Sequence, residues 1–224
     1  MGSGAPPTLR IPLILLAIAD LAALGMRLWP WQQVPNLPLN GATGIDPAVC
    51  LVAYVGIFLW IAHTRFESTK KALLNGALLG LLAGLFLVAE VVLGAQPPAP
   101  DVSSVHHLQL GLFVLAGILW GIAGMRGAGI AGDATDGLVA GIWSAMTSAL
   151  MGCGAVMAES YLAVPPSPET LDPWKQYEGL AIGNPATQAL VHSLNSVTAF
   201  LLFCPLLGAA LALIFAHMAP SRKS

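Results

Sequence analysis

The chain has 224 residues, of which 56% are hydrophobic and only 9% are charged, and its formal net charge is −2. Soluble domains carry about 25% charged residues, so this composition excludes an ordinary soluble domain and indicates an integral membrane protein. The small and slightly acidic polar surface also excludes nucleic-acid binding.

Six apolar runs are long enough to cross a bilayer as helices, because the hydrocarbon core requires roughly 20 helical residues. The runs cover about residues 10–29, 47–64, 71–94, 105–125, 137–162 and 190–217. The sequence therefore predicts an all-α, multi-pass membrane protein with one transmembrane domain.

The basic residues predict the orientation, since Lys and Arg favour the cytoplasmic ends of spanning helices. With the N-terminus inside, the cytoplasmic basic residues are Arg10, Arg65, Lys70, Lys71, Arg126, Arg222 and Lys223, and the outer ones are Arg27 and Lys175. We therefore expect both termini in the cytoplasm and outer connections at 30–46, 95–104 and 163–189. The charge bias is typical of a bacterial inner membrane.

The first run contains Asp20 near its middle. An acid inside a spanning helix is a functional-site hypothesis by default, because an ionised side chain is costly to insert there. Asp20 is predicted either to take part in a proton or cation path or to be protonated and hydrogen-bonded to a neighbouring helix.

The second to fifth runs contain an apparent internal repeat. The segment GIFLWIAHTR (56–65) resembles GILWGIAGMR (117–126), and the run after each ends in Ala-Glu followed by Pro-Pro. This pattern predicts a duplicated helical hairpin, with both copies entering the membrane from the same side. The second copy has GAGIAGDATDG as an insertion in its cytoplasmic turn. Chance similarity of apolar helices is the alternative.

The repeated acids are Glu90 and Glu159, each near the outer end of its run. Gly76, Gly80 and Gly84 form a small-residue ridge on the third run, and Glu90 lies about 40° from Gly76 at 100° per residue. Glu159 continues a similar stripe on the fifth run, which consists of Ser144, Ser148, Gly152 and Ala155. Both acids are therefore predicted to face neighbouring helices, although they could also reach the outer headgroups.

Several polar residues are predicted at the same outer end. His106 and His107 begin the fourth run, and His192 begins the sixth, followed by Asn195 and Ser196. A carboxylate beside a histidine can exchange a proton near physiological pH. We therefore predict a proton or ion site formed by Glu90, Glu159, His107, His192, Asp20 and Asn195, with interfacial hydrogen bonding as the alternative role for each histidine.

The sixth run begins after IGNP, where Asn184 is predicted to cap the helix and Pro185 to occupy its first position. Pro205 lies inside the run and predicts a kink, because proline removes one helical hydrogen bond. Cys50, Cys153 and Cys204 all lie in apolar runs and are predicted to be packing residues without disulfides.

The sequence contains no phosphate-binding loop, nucleophile elbow or zinc-protease motif, so it favours a non-enzymatic role and identifies no catalytic residue. Three classes of function remain: a small transporter or ion-conducting protein, a non-catalytic subunit or assembly partner of a larger complex, and a redox subunit. In the redox class, His107 and His192 would ligate a haem. The expected partners are the lipid bilayer and other protein subunits, including further copies of this chain.

Overall fold

The structure is a computed structural model that describes residues 15, 18–20, 22, 49–57, 70–94, 102–162 and 185–218. Every one of these residues is helical except Gly132, Asp133 and Met218. The four complete helices are α1 (Lys70–Gly94), α2 (Val102–Ala131), α3 (Ala134–Leu162) and α4 (Pro185–His217). They correspond to the third to sixth apolar runs.

All four helices are long and apolar enough to cross a membrane. The shortest, α1, has 25 residues, and at about 1.5 Å per residue it exceeds the roughly 30 Å of a hydrocarbon core. Many large apolar side chains lie on the outer surface of the bundle, as a lipid-facing surface requires. The all-helical fold class is therefore confirmed for the described ranges, where four helices have the length and apolar composition of membrane spans. The count of six spans, the orientation, the duplication and the outer loop at 163–189 stay predictions, since much of that sequence lies outside the described residues.

The central helix is α3. Within its apolar window 72% of the residues are buried, whereas the corresponding windows of the other three helices are 28–39% buried. Helix α3 packs against α1, α2 and α4, and both α1 and α4 also pack against α2. The helices α1 and α4 thus flank the α2–α3 pair. The helical segment 49–57 adds Leu51 and Tyr54 to the same core.

Small residues allow α1 to approach α3 closely, as the glycine ridge predicted. A Cβ atom placed on Gly76 would lie 2.6 Å from the backbone oxygen of Ala140, and one on Gly80 would lie 2.5 Å from that of Ser144. Only glycine at these two positions permits so short a distance between the α1 and α3 backbones, because any larger side chain would clash with α3. Such close packing is the main way in which helices associate within a membrane.

The connection between α2 and α3 is shorter than the sequence indicated. Most of GAGIAGDATDG is helical, and only Gly132 and Asp133 interrupt the two helices. Gly132 adopts a left-handed φ of 82°, and its N–H donates to the oxygen of Ala128 at 2.7 Å, which ends α2. Asp133 then caps α3, because its Oδ1 accepts from the N–H of Thr135 at 3.3 Å.

Candidate binding pocket

A pocket of about 420 Å³ lies where the C-terminal ends of α1 and α3 meet the N-terminal half of α2 and residues 193–207 of α4. All four helices contribute to its wall. Its polar lining residues are Glu90, Gln109, Glu159, Ser193 and Ser196, and its aromatic lining residues are Phe113, Phe200 and Phe203. The remaining lining is mostly small or aliphatic.

Glu90 and Glu159 come from different helices and line this one pocket. Glu90 lies one turn before the end of α1, and Glu159 lies in the last turn of α3. Both side chains are half-buried. The described lining residues include no Lys, Arg or His, so two acids face the space without a basic side chain in the described part of the wall.

Gln109 links α1 to α2 at the edge of the pocket. Its Nε2 donates a hydrogen bond to the backbone oxygen of Glu90 at 3.3 Å. A Cβ on Gly94 would lie only 2.8 Å from the same Nε2, so glycine leaves room for this amide. The contact stabilises the position of the Glu90 backbone against α2.

The aromatic side of the pocket joins α2 and α4. Phe113 packs edge-on against Trp120, with ring centroids 6.0 Å apart and an interplanar angle of 90°. Phe200 and Phe203 follow along α4, and Phe203 is 61% exposed. Phe203 therefore belongs both to the pocket wall and to the outer surface of the bundle.

Three of the other predicted site residues, His107, Asn195 and His192, come from the same ends of α2 and α4. His107 and Asn195 are exposed, and neither is among the described residues that line the pocket. Ser196, the neighbour of Asn195, does line it. The side chain of His192 lies outside the described part of the structure, so its contacts and the proposed haem ligation stay predictions.

Asp20 is buried within the bundle. It is 5% exposed, and its Oδ2 has no hydrogen-bond partner within the described residues. Its carboxyl lies close enough to Cys153 to act on it electrostatically, and Cys153 in turn lies near Tyr54 and Cys204. Cys204 also lines the pocket. Buried polar atoms thus extend from the pocket wall into the core.

The three cysteines are free thiols, and Cys153 and Cys204 are buried core residues. Across the described ranges, no group of three or more His, Cys, Asp or Glu side chains is arranged to hold a metal ion.

Sequence reasoning missed Gln109, Ser193 and the three phenylalanines as lining residues. Gln109 carries a usable signal, since it is an amide within an otherwise apolar stretch of α2. The phenylalanines carry none, because an aromatic residue in a spanning helix most often contacts lipid or another helix.

Comparison with models of protein families, with curated proteins and with solved structures finds no match for this chain. The apolar helices by themselves support a multi-pass helical membrane protein.

Proposed function

We propose that this protein transports or conducts a positively charged solute, and that the pocket containing Glu90 and Glu159 is its binding site. The observation that carries the proposal is the convergence of two acids from separate helices on one pocket whose described wall has no basic residue. Carboxylates attract cations, and the attraction is stronger where the surroundings are largely apolar.

The cost of placing acids in a spanning helix supports the same conclusion. An ionisable side chain near the bilayer centre costs about 2.5–3.5 kcal/mol on insertion scales, and such residues usually face a cavity that serves an ion or substrate. Glu90 and Glu159 lie near the helix ends, where the cost is smaller, yet both face the pocket. Asp20 provides a further buried acid deeper in the bundle.

The test is a flux measurement on the full chain reconstituted into liposomes. The probes are protons, sodium, potassium, methylammonium and tetraphenylphosphonium, each driven by its own gradient. We expect flux of at least one cation above that of protein-free liposomes. Glu90→Gln and Glu159→Gln should each lower it about tenfold, since a hydrogen bond or ion contact to a charged group contributes about 1.5–3 kcal/mol.

The double substitution should be less than additive if both acids hold the same solute. Asp133→Asn is the matched control, because this exposed acid lies in the turn at the opposite end of α3. Absence of flux for every cation, or equal flux in wild type and both variants, would reject the proposal and favour a non-catalytic membrane subunit.

A further inference from the structure

We infer that the solute is an organic cation with apolar substituents, such as a lipophilic ammonium or phosphonium, and that it reaches the pocket from the bilayer side of α4. The inference rests on the proposed function, because it names the class of solute for the same pocket. It is carried by the aromatic rings, the size of the pocket and the exposure of one of its walls.

The pocket combines two kinds of recognition for such a cation. Glu90 and Glu159 supply negative charge, and Phe113, Phe200 and Phe203 supply aromatic rings. A cation over an aromatic face is attracted by the negative charge of the ring face, and quaternary ammonium groups are bound in this way. An apolar substituent on the cation would contact the same rings as well as Val91 and Val156.

The size of the pocket favours an organic solute over a bare metal ion. Its volume is about 420 Å³. A Mg²⁺ or Ca²⁺ ion binds oxygen ligands at roughly 2.0–2.6 Å and therefore needs a much smaller space. Pockets for small organic ligands occupy about 300–1,000 Å³ and are mainly apolar with a few polar groups. The five polar lining side chains come from four helices and leave most of the wall apolar.

The exposed wall indicates the direction of access. Phe203 is 61% exposed and Leu207 is 40% exposed, yet both line the pocket. Both belong to the part of α4 that is apolar enough to lie within the membrane, Asn195–His217. A lipophilic cation concentrated in the bilayer can therefore reach the pocket beside Phe203 without first leaving the lipid.

The experiment is equilibrium binding of radiolabelled tetraphenylphosphonium to the full-length protein in mild detergent. We expect saturable binding, no displacement by excess sodium, and no competition by triphenylphosphine oxide, which has phenyl groups but no charge. Glu90→Gln and Glu159→Gln should each raise the Kd about tenfold. Phe203→Leu should raise it about two- to fivefold, because it removes the ring but keeps apolar bulk.

Two controls separate these effects from a general loss of structure. Asp133→Asn removes an acid far from the pocket, and Phe215→Leu removes a phenylalanine that is not among the lining residues; both should bind like wild type. Glu90→Asp keeps the charge and should retain more binding than Glu90→Gln. The melting temperature of each variant is measured beside its Kd. A variant counts as a weak binder only if its melting temperature matches that of the wild type, so that a misfolded sample is not scored as one.

Three results would overturn the inference. Absence of saturable binding would do so, as would equal binding by wild type and by both glutamine variants, which indicates partition into detergent. Displacement by sodium at equal ionic strength would indicate an inorganic cation site. If sodium, potassium or proton flux persists and depends on the glutamates, the proposed function stands while this inference fails.

Discussion

Trp120 donates its indole N–H to the hydroxyl of Ser148 at 2.9 Å, and both side chains are completely buried between α2 and α3. The same hydroxyl donates to the backbone oxygen of Ala145 at 2.9 Å. Ser148→Ala would leave the buried indole N–H without this partner, so we expect a loss of about 1–3 kcal/mol of stability. A thermal unfolding curve in detergent measures it.

Ser144→Ala is the matched control for this change. Ser144 is as fully buried as Ser148 and lies one turn away on α3, but its Oγ has no hydrogen-bond partner within the described residues. We therefore expect Ser144→Ala to be neutral or slightly stabilising. Equal destabilisation by both substitutions would show that the lost hydroxyl volume matters more than the Trp120 hydrogen bond.

The close approach of α1 to α3 is predicted to depend on Gly80. Gly80→Ala would place a Cβ 2.5 Å from the backbone oxygen of Ser144 and 2.8 Å from the Cβ of Thr147. We expect it to cost about 1–3 kcal/mol, as overpacking does. Gly111→Ala, on the exposed face of α2, meets nothing within 4 Å and should be neutral or stabilising by up to about 1 kcal/mol. The melting temperature should therefore fall for Gly80→Ala and stay unchanged or rise for Gly111→Ala.

Tyr54→Phe is expected to preserve stability within about 1 kcal/mol, because it removes a buried hydroxyl that is not compensated by a hydrogen bond. The Tyr54 hydroxyl has no partner in the described part of the structure. Leu51→Ala, on the same helical segment and 1% exposed, should cost about 2–5 kcal/mol, since it leaves a cavity. A large loss for Tyr54→Phe would show that the hydroxyl is bonded.

Asp20→Asn separates a structural role of this acid from a role in flux. The carboxamide has nearly the same shape but cannot ionise, so the unfolding temperature should not fall. Tetraphenylphosphonium binding should persist, because Asp20 is not among the described residues lining the pocket. Cation flux in liposomes should decrease if Asp20 carries a proton or cation through the bundle. Unchanged flux would remove Asp20 from the transport path.

The helices were predictable because their signal is local. Apolar runs at 71–94 and 137–162 agree with Lys70–Gly94 and Ala134–Leu162 to within three residues at every end. Helix α4 begins at Pro185, the first helical position predicted. The end of α2 was missed because its glycines look like a loop, whereas only Gly132 adopts the left-handed conformation that glycine favours.

The pocket was only partly predictable, because it depends on how each helix is rotated about its axis. Glu90 and Glu159 were recognised from their charge within apolar runs, and the structure brings them to one pocket. The sequence prediction included Asn195 in the site and left out Ser196. The two residues differ by about 100° around the helix, and in the structure Asn195 is exposed whereas Ser196 lines the pocket. The sequence spacing gives the angle between two residues around one helix. Which side of the helix faces the bundle interior depends on how that helix packs against its neighbours.

The two-residue turn at Gly132 and Asp133 determines how this bundle can deform. Near the turn, Gly124 packs against Gly137, and Gly127 packs against Ala140, with no room for larger side chains. The short turn and these close contacts hold α2 and α3 together at this end, so a shift of one helix along the axis of the other is opposed there. A small change in their crossing angle would instead produce a shift that grows with distance from the turn. Among the pocket residues on these two helices, Gln109 and Glu159 lie furthest from it along the chain. Pivoting of a rigid hairpin, rather than sliding of helices, is the motion by which this pocket would widen and narrow.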